Sequence, residues 1–170
     1  MLKIIRVLLA GAFAAISLAS AALAQEAEKL AATVPPEVSE IATAGTWSNG
    51  NLTGVFRAIV IMTPTPKSTQ ANLIVQLLAV GPDGVTTTVA KSIHVKKVAE
   101  KKLPNAFLAV EEDTTENEIT WRLTSYDAQS DTDTGVLVSV NAKGETDVKD
   151  APVPEELQGA KPHGEPAKKE

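Results

Sequence analysis

The stretch TWSNGNLTGVFR, residues 46 to 57, combines a strong turn signal with flanking residues that favour β-strands. Asn49 and Gly50 both accept the positive φ of a type I′ turn, so the sequence predicts a two-residue hairpin loop at this dipeptide. Trp47 and Phe56, one on each side of the loop, are of the aromatic type that is enriched in strands. The stretch therefore predicts two antiparallel strands, and with them a β-sheet.

The predicted loop also sets a register, in which Gly45 lies opposite Gly54. Trp47 and Phe56 then flank this glycine pair on one face of the sheet, where aromatic rings restore the contact area that glycines lack. Because neighbouring side chains on a strand point to opposite faces, Arg57 points away from Phe56. We therefore assign the aromatic residues to the core and keep Arg57 as a candidate binding residue.

Period-two alternation and β-branched residues continue through residues 41–141. The candidate strands are residues 41–47, 52–62, 70–80, 85–95, 106–111, 118–126 and 135–141. GPDG, residues 81–84, predicts a turn that pairs the third strand with the fourth. VKKVAEKKLP, residues 95–104, fits either a short helix or a continued strand. The sequence predicts an all-β fold, either a single antiparallel β-sandwich of immunoglobulin-like type or a small barrel, with about six to seven strands.

Apolar residues at alternating positions of these strands form the predicted core. They are Trp47, Phe56, Val60, Leu73, Val75, Leu77, Val89, Ile93, Leu108, Trp121, Leu123 and Val138. The chain has no cysteine, so no disulfide assists this core.

The first residues have the pattern of a secretory signal peptide. Lys3 and Arg6 precede an apolar stretch, residues 7–23, and Ala22-Leu23-Ala24 has the small residues of a cleavage site. We expect residues 1–24 to be removed and the protein to be periplasmic or secreted. An uncleaved membrane anchor is the alternative.

The segments on either side of the predicted domain are polar. Residues 25–40 form an alanine-rich leader, residues 41–141 the β-sandwich domain, and residues 142–170 a charged tail that contains prolines. A segment with so few apolar residues does not bury enough surface to offset its ordering entropy. We therefore expect the flanks, and the tail above all, to be disordered.

Catalytic and cofactor motifs are missing from the sequence. Its two histidines are His94 and His163, and no nucleophile elbow, zinc ligand set or phosphate-binding glycine loop occurs. The acidic run at residues 109–118 is typical of a solvated loop. We expect no enzymatic activity and no cofactor.

The segment DAQSDTDTG, residues 127–135, is the one candidate metal site. Asp127, Asp131 and Asp133 supply the oxygen ligands that calcium prefers, on a loop. The closing bidentate glutamate of an EF-hand-type series is absent, because Ala142 stands at that position. The segment is therefore either a calcium site or an ordinary hairpin loop.

Arginine usage provides the candidate binding residues. After Arg6, the chain contains only Arg57 and Arg122, and each follows an aromatic residue on a predicted strand. If the two strands are neighbours, the guanidinium groups form a patch suited to a carboxylate or phosphate. The alternative is that each arginine pairs with one of the chain's acids.

The lysines also form a cluster in the predicted domain. Its members are Lys91, Lys96, Lys97, Lys101 and Lys102. This cluster fits either a contact with anionic envelope material or a solvated surface that protects an edge strand.

Together these features predict an exported, non-catalytic binding or interaction module of the bacterial cell envelope, with a sheet face or edge as its contact surface. Its partner would be an envelope protein or an anionic ligand. A net charge of −5 disfavours nucleic acid, and no membrane span is expected after signal cleavage. The oligomeric state is left open. The alternative is a small periplasmic hydrolase that uses loop carboxylates, which a deep pocket lined by acids with raised pKa values would favour.

Overall fold

The computed structural model describes residues 32–111 and 115–155. The predicted signal peptide lies outside these residues, as do residues 25–31 of the leader and residues 156–170 of the tail. Residues 32–36 form turns and belong to a different compact unit from the chain that begins at Glu37. The second unit contains all the strands described below.

The first sheet consists of four antiparallel strands in sequential order. They are β1 (Val38–Asn49), β2 (Leu52–Pro64), β3 (Thr69–Val80) and β4 (Thr87–His94). Alternation of buried and partly exposed residues is clearest in β2 and β3, the two central strands. This alternation is what a sheet with one face on a core requires.

A short helix and a second sheet follow. The helix is α1 (Lys96–Glu100), and the strands are β5 (Ala106–Val110), β6 (Glu118–Asp127), β7 (Thr132–Asn141) and β8 (Thr146–Ala151). This sheet is also antiparallel and sequential, and neither sheet closes on itself within the described residues. The described part of the chain contains no helix that is long and apolar enough to cross a membrane.

Each predicted strand is confirmed, and the helical alternative for the segment after His94 is the one that forms. The prediction of disorder from residue 142 onward is wrong for β8. This strand pairs with β7, and Val148 lies opposite Val138 and packs against the core while most of its neighbours are exposed. An edge strand needs few apolar residues, so a charged composition did not prevent its formation. Residues 156–170 lie outside the described chain.

One hydrophobic core receives side chains from both sheets. The Phe56 ring from β2 meets the Trp121 ring from β6 edge to face, with 6.3 Å between ring centroids. The other predicted core residues are buried or pack against this core. The prediction is wrong for Val89, because this residue of β4 is 50% exposed.

The hairpin between β1 and β2 has a register one residue away from the predicted one. Asn49 pairs with Leu52, so the loop is Gly50-Asn51. Gly50 has a φ of 62° at the first central position, as type II′ turns require. Both choices of loop satisfy the local backbone rules, so these rules alone did not identify the register.

The predicted Gly45–Gly54 pair is therefore wrong. Gly54 pairs with Trp47, and Gly45, with a φ of 64°, lies at a β-bulge between Ala44 and Thr46. A bulge adds one residue to a strand and so changes which side chains share a face. A Cβ atom on Gly54 would lie 2.9 Å from Trp47 Cε2, so the indole ring packs directly over this glycine. The prediction of an aromatic residue covering a glycine is confirmed.

Candidate interaction surface

The outer face of the first sheet, opposite the core, is rich in aliphatic side chains. Its residues are the strand neighbours of core residues such as Phe56 and Val75 and therefore point away from the core. The strand register arranges six of these side chains as cross-strand neighbours, and a seventh, Ile61, follows Ile59 on the same face of β2. They are Ile41, Val55, Ile59, Ile61, Ile74, Leu78 and Val89, and we call them the aliphatic face.

Two aliphatic rows cross the strands of this face. One row contains Ile41, Ile59 and Ile74 in direct register, and the other contains Val55, Leu78 and Val89. The rows reach solvent at their ends, where Ile41 is 52% and Val89 is 50% exposed. The aliphatic face thus contains two aliphatic rows, which one further row of side chains separates along the strands.

Arg57 lies on the aliphatic face between the two rows. Its register neighbours are Thr43 on β1 and Gln76 on β3, and Gln76 in turn pairs with Ser92 on β4. The Nε and Nη2 groups of Arg57 donate to Gln76 Oε1, with an Nε to Oε1 distance of 2.9 Å. Among the described residues Arg57 forms no ion pair. Its cation is therefore held in place by an uncharged amide.

Acidic side chains are missing from the register positions of this face. Besides the seven aliphatic residues and Arg57, these positions carry Val38, Thr43, Thr46, Asn72, Gln76, Ser92 and His94. Glu40 is on the same strand as Ile41 but accepts a hydrogen bond from the Leu108 backbone N–H at 2.6 Å. The aliphatic face therefore combines apolar residues with a positive charge and no negative one.

Arg122 is placed on the outer face of the second sheet, in different surroundings. Its Nε donates to Glu111 Oε1 in an ion pair, and its Nη1 donates to the Pro152 carbonyl oxygen at 2.6 Å. The side chain is only 14% exposed. Arg122 therefore has the acidic partner that Arg57 lacks.

The two arginines are not brought together. Phe56 and Trp121 point into the shared core, so Arg57 and Arg122 point outward from different sheets. The predicted orientation of each arginine relative to its aromatic neighbour is confirmed. The joint patch is not formed, because β2 and β6 are not neighbouring strands.

Asp127, Asp131 and Asp133 lie near Tyr126, where their charges add to the rise in its pKa. Asp127 accepts hydrogen bonds from the Gln129 backbone N–H at 2.9 Å and from Ser130 Oγ at 2.8 Å, and both lower its pKa. Asp131 accepts a hydrogen bond from the Tyr126 hydroxyl at 2.8 Å, which raises the pKa of Tyr126. Asp133 lies on β7 opposite Tyr126. In the described chain, no group of three acidic, histidine or cysteine side chains is placed to hold a metal ion.

The lysine cluster is largely matched by acids and carbonyl groups of the second sheet. Lys101 forms an ion pair with Asp150 on β8 at 2.6 Å, and Lys91 donates to the Lys143 carbonyl oxygen at 2.5 Å. A hydrogen bond from Lys149 lowers the pKa of Asp147, and the charge of nearby Lys97 adds to this shift. These contacts match the interpretation of the cluster as a solvated surface. His94 is exposed at the end of β4.

The cavities in the described chain are open and contain few acids. One of about 450 Å³ is lined by Asp127 together with residues 65–70. Another of about 350 Å³ is lined by Glu40, Met62 and Tyr126. Neither cavity brings two carboxylates together, and the one shifted carboxyl pKa at these sites, that of Asp127, is lowered.

The sequence contained a signal for the aliphatic face that the strand predictions did not use. Residues 58–62 of β2, AIVIM, are apolar at successive positions, and β3 contains a similar run at residues 73–75. A strand that is polar on one face alternates, whereas a continuous apolar run indicates that both faces are apolar.

Comparison of the chain with protein-family models, with curated proteins and with solved structures finds no match. Its function must therefore be inferred from its own surfaces.

Proposed function

We propose that the protein is an exported, non-catalytic interaction module of the bacterial cell envelope, and that the aliphatic face is its contact surface. The observation that carries the proposal is the contrast between the outer faces of the two sheets. The first is aliphatic around a cation that has no ion pair among the described residues, whereas the second combines Phe107 and Leu137 with threonine, serine and paired charges. The first has the larger share of aliphatic side chains, which favours it as the protein-binding surface.

The size of the aliphatic face supports this role. Four strands about 4.8 Å apart, with residues about 3.3 Å apart along each strand, give the face an area of about 400 Å². The two aliphatic rows cover part of this area, and large apolar patches on soluble proteins are commonly functional. Burial of the exposed parts of Ile41 and Val89 would contribute to the free energy of association.

The cavities support a binding role over catalysis. A carboxyl group that acts as a general acid needs a raised pKa, and the hydrogen bonds to Asp127 lower its pKa instead. The alternative of a small hydrolase that uses loop carboxylates has no supporting observation.

The proposed architecture is a β-sandwich made of two consecutive meanders. The core that draws side chains from both sheets supports a sandwich. The sequential strand order favours this connectivity over the immunoglobulin-like one, in which strands change sheets, and over a small barrel.

Site-specific photocrosslinking tests the contact surface. A photoreactive phenylalanine analogue replaces Ile41 on the aliphatic face or, as the matched control, Phe107 on the outer face of the second sheet. The two residues are 52% and 50% exposed, so their accessibility to a partner is equal at the start. After irradiation of cells that produce the protein, we expect a discrete covalent adduct from position 41 and none from position 107. Equal adducts at both positions, or no adduct at position 41, would contradict the proposal.

Export is tested on the same cells. We expect the protein from the periplasmic or medium fraction to begin at Gln25, as N-terminal sequencing would show. Recovery of the chain only from the cytoplasm, with Met1 to Ala24 intact, would exclude a role in the envelope.

A further inference from the structure

The guanidinium group of Arg57 is only partly used by the described chain. Arginine has five N–H donors, and the contacts within the described residues are the two donations to Gln76 Oε1. The side chain is half-buried, so water can reach the remaining donors. Arg57 is thus fixed in orientation by Gln76 and retains the capacity to donate to a further acceptor.

Docking of any partner on the aliphatic face would remove this water. Arg57 lies between the two aliphatic rows, so an apolar partner that covers both rows also covers the cation. A buried charge without a counterion is strongly unfavourable. A complementary partner must therefore supply an acceptor at this point, and a carboxylate matches the planar guanidinium best.

A second copy of the chain does not supply that acceptor. The register positions of the aliphatic face carry no acid, so two faces packed together would enclose two arginines without a carboxylate. Like charges in an interface disfavour association.

An anionic membrane surface is also a poor match. Surfaces that lie on membranes keep their cations at the margin and insert apolar residues at the centre. The aliphatic face has its arginine near the centre, and the chain has a net charge of −5, which anionic lipids repel.

We infer that the partner is a protein whose contact surface is aliphatic and presents one aspartate or glutamate to Arg57. This inference rests on the proposed function and specifies it. Aliphatic contacts supply affinity, and the carboxylate supplies register and selectivity.

A random-peptide display library is a probe that does not presuppose the partner. The full chain without residues 1–24 is used for selection, together with Arg57→Glu, with Ile59→Lys as a variant that disrupts the aliphatic face, and with Lys149→Glu as a charge-reversal control on β8. Circular dichroism of each variant confirms that it is folded, and Ile41→Lys replaces Ile59→Lys if the latter is not.

We expect the unmodified chain and Lys149→Glu to enrich aliphatic peptides that carry Asp or Glu at a constant position. Replacing that acid with its amide should weaken binding about tenfold or more, and Arg57→Glu should instead select Lys or Arg there. Ile59→Lys should retain neither class.

Other outcomes separate the two proposals. If the selected peptides contain no acid but Ile59→Lys still abolishes their binding, the inferred carboxylate would be wrong and the proposed contact surface would stand. Peptides that are insensitive to Ile59→Lys would overturn the proposed function itself. Cosedimentation with phosphatidylglycerol vesicles that is lost with Arg57→Gln, or a dimer in analytical ultracentrifugation that is lost with Ile59→Lys, would each replace the protein partner with a lipid or a second copy.

Discussion

The outer faces of the two sheets differ although their inner faces build the same core. In the first sheet, aliphatic residues continue onto the outer face and surround Arg57. In the second sheet, one row on the outer face runs from Arg122 through Leu137 to Lys149. The adjacent row contains Thr120 and Ser139, whose hydroxyls hydrogen-bond at 2.8 Å. Because both sheets face one core, the core does not account for the aliphatic residues outside it. Under the proposed function, a contact with a partner accounts for them.

The two arginines show the same difference on a smaller scale. Arg122 has a carboxylate partner in Glu111 and a carbonyl partner in Pro152, which makes it part of the fold. Arg57 has only the Gln76 amide oxygen among the described residues. A cation kept on an apolar surface without an acid contributes little to folding, which agrees with the role in recognition proposed for Arg57.

The largest effect on stability is expected in the interior of the first sheet, where Gly54 is in close contact with its neighbours. A Cβ atom there would lie 1.9 Å from the Leu78 carbonyl oxygen, so Gly54→Ala would force β2 and β3 apart. We expect the free energy of unfolding to fall by about 3 kcal/mol or more, measured by urea denaturation. Thr53→Ala, at the adjacent exposed position, serves as the control and should change it by less than about 0.5 kcal/mol.

Gly135 provides the corresponding test in the second sheet. A Cβ atom on Gly135 would lie 2.6 Å from the Ala151 carbonyl oxygen, at the end of the edge strand β8. An edge strand can shift more easily than the central pair β2–β3, so Gly135→Ala should cost less than Gly54→Ala. The reverse order would show that β8 is held more rigidly than the pair at the centre of the first sheet.

A smaller effect should distinguish the two arginines. Arg122→Met removes hydrogen bonds to Glu111 and to the Pro152 carbonyl, and we expect it to lower the free energy of unfolding by about 1–2 kcal/mol. Arg57→Met leaves an aliphatic side chain between aliphatic rows and should change stability by less than about 0.5 kcal/mol. Parallel urea denaturation of both variants makes the comparison. An equal loss in both would assign Arg57 to the fold and remove the reason to place it in a binding surface.

Local residue patterns predicted the strands and the direction of each arginine side chain. The alternation around Phe56 and Trp121 placed both rings in the core, and the structure agrees. What the pattern did not contain was sheet membership, because the pairing of distant strands depends on packing of the whole chain. The proposed Arg57–Arg122 patch required neighbouring strands, and their separation was not visible locally.

The hairpin register and β8 were missed for related physical reasons. Two dipeptides that share Gly50, Asn49-Gly50 and Gly50-Asn51, fit a two-residue hairpin loop. Gly50-Asn51 is the loop that forms, and it is accompanied by the bulge at Gly45 and by the packing of Trp47 on Gly54. β8 is an edge strand with few buried residues, so its composition resembles that of a disordered tail. In both cases, contacts distant in sequence outweigh the local signal.

The ion pair between Lys101 and Asp150 should have a still smaller effect on stability. It joins the segment after α1 to β8, but its side chains are 38% and 73% exposed, and water and salt screen such a pair. Lys101→Ala should lower the free energy of unfolding by about 0.5 kcal/mol or less at low ionic strength. The difference should vanish in about 1 M salt, where screening is nearly complete. A larger loss that salt does not change would mean that Lys101 packs against the fold instead of pairing with an acid.

In each sheet, an aspartate carboxylate accepts hydrogen bonds from residues of a hairpin loop. The two loops can therefore be compared without any change in the core. Asp83, between β3 and β4, accepts hydrogen bonds from the Thr86 hydroxyl and from the backbone N–H groups of Thr86 and Val85. Asp127, the last residue of β6, accepts them from the Gln129 N–H and the Ser130 hydroxyl. The pKa of each carboxyl is below its ordinary value of 3.8.

These carboxylates should give the smallest effects, which are detectable by titration. Since a lowered pKa means that the folded state favours the carboxylate, each contribution is present above the unfolded-state pKa and disappears as the pH falls through the lower folded value. The Thr86 hydroxyl is the largest cause of the shift at Asp83, so Thr86→Val should raise the pKa of Asp83 toward 3.8. At Asp127 the Gln129 N–H is the larger cause, so Ser130→Ala should raise its pKa less. Carboxyl ¹³C NMR titration of both variants measures the two shifts in the same chain. A greater rise at Asp127 than at Asp83 would show that the hydroxyl, and not the backbone, holds the loop of the second sheet.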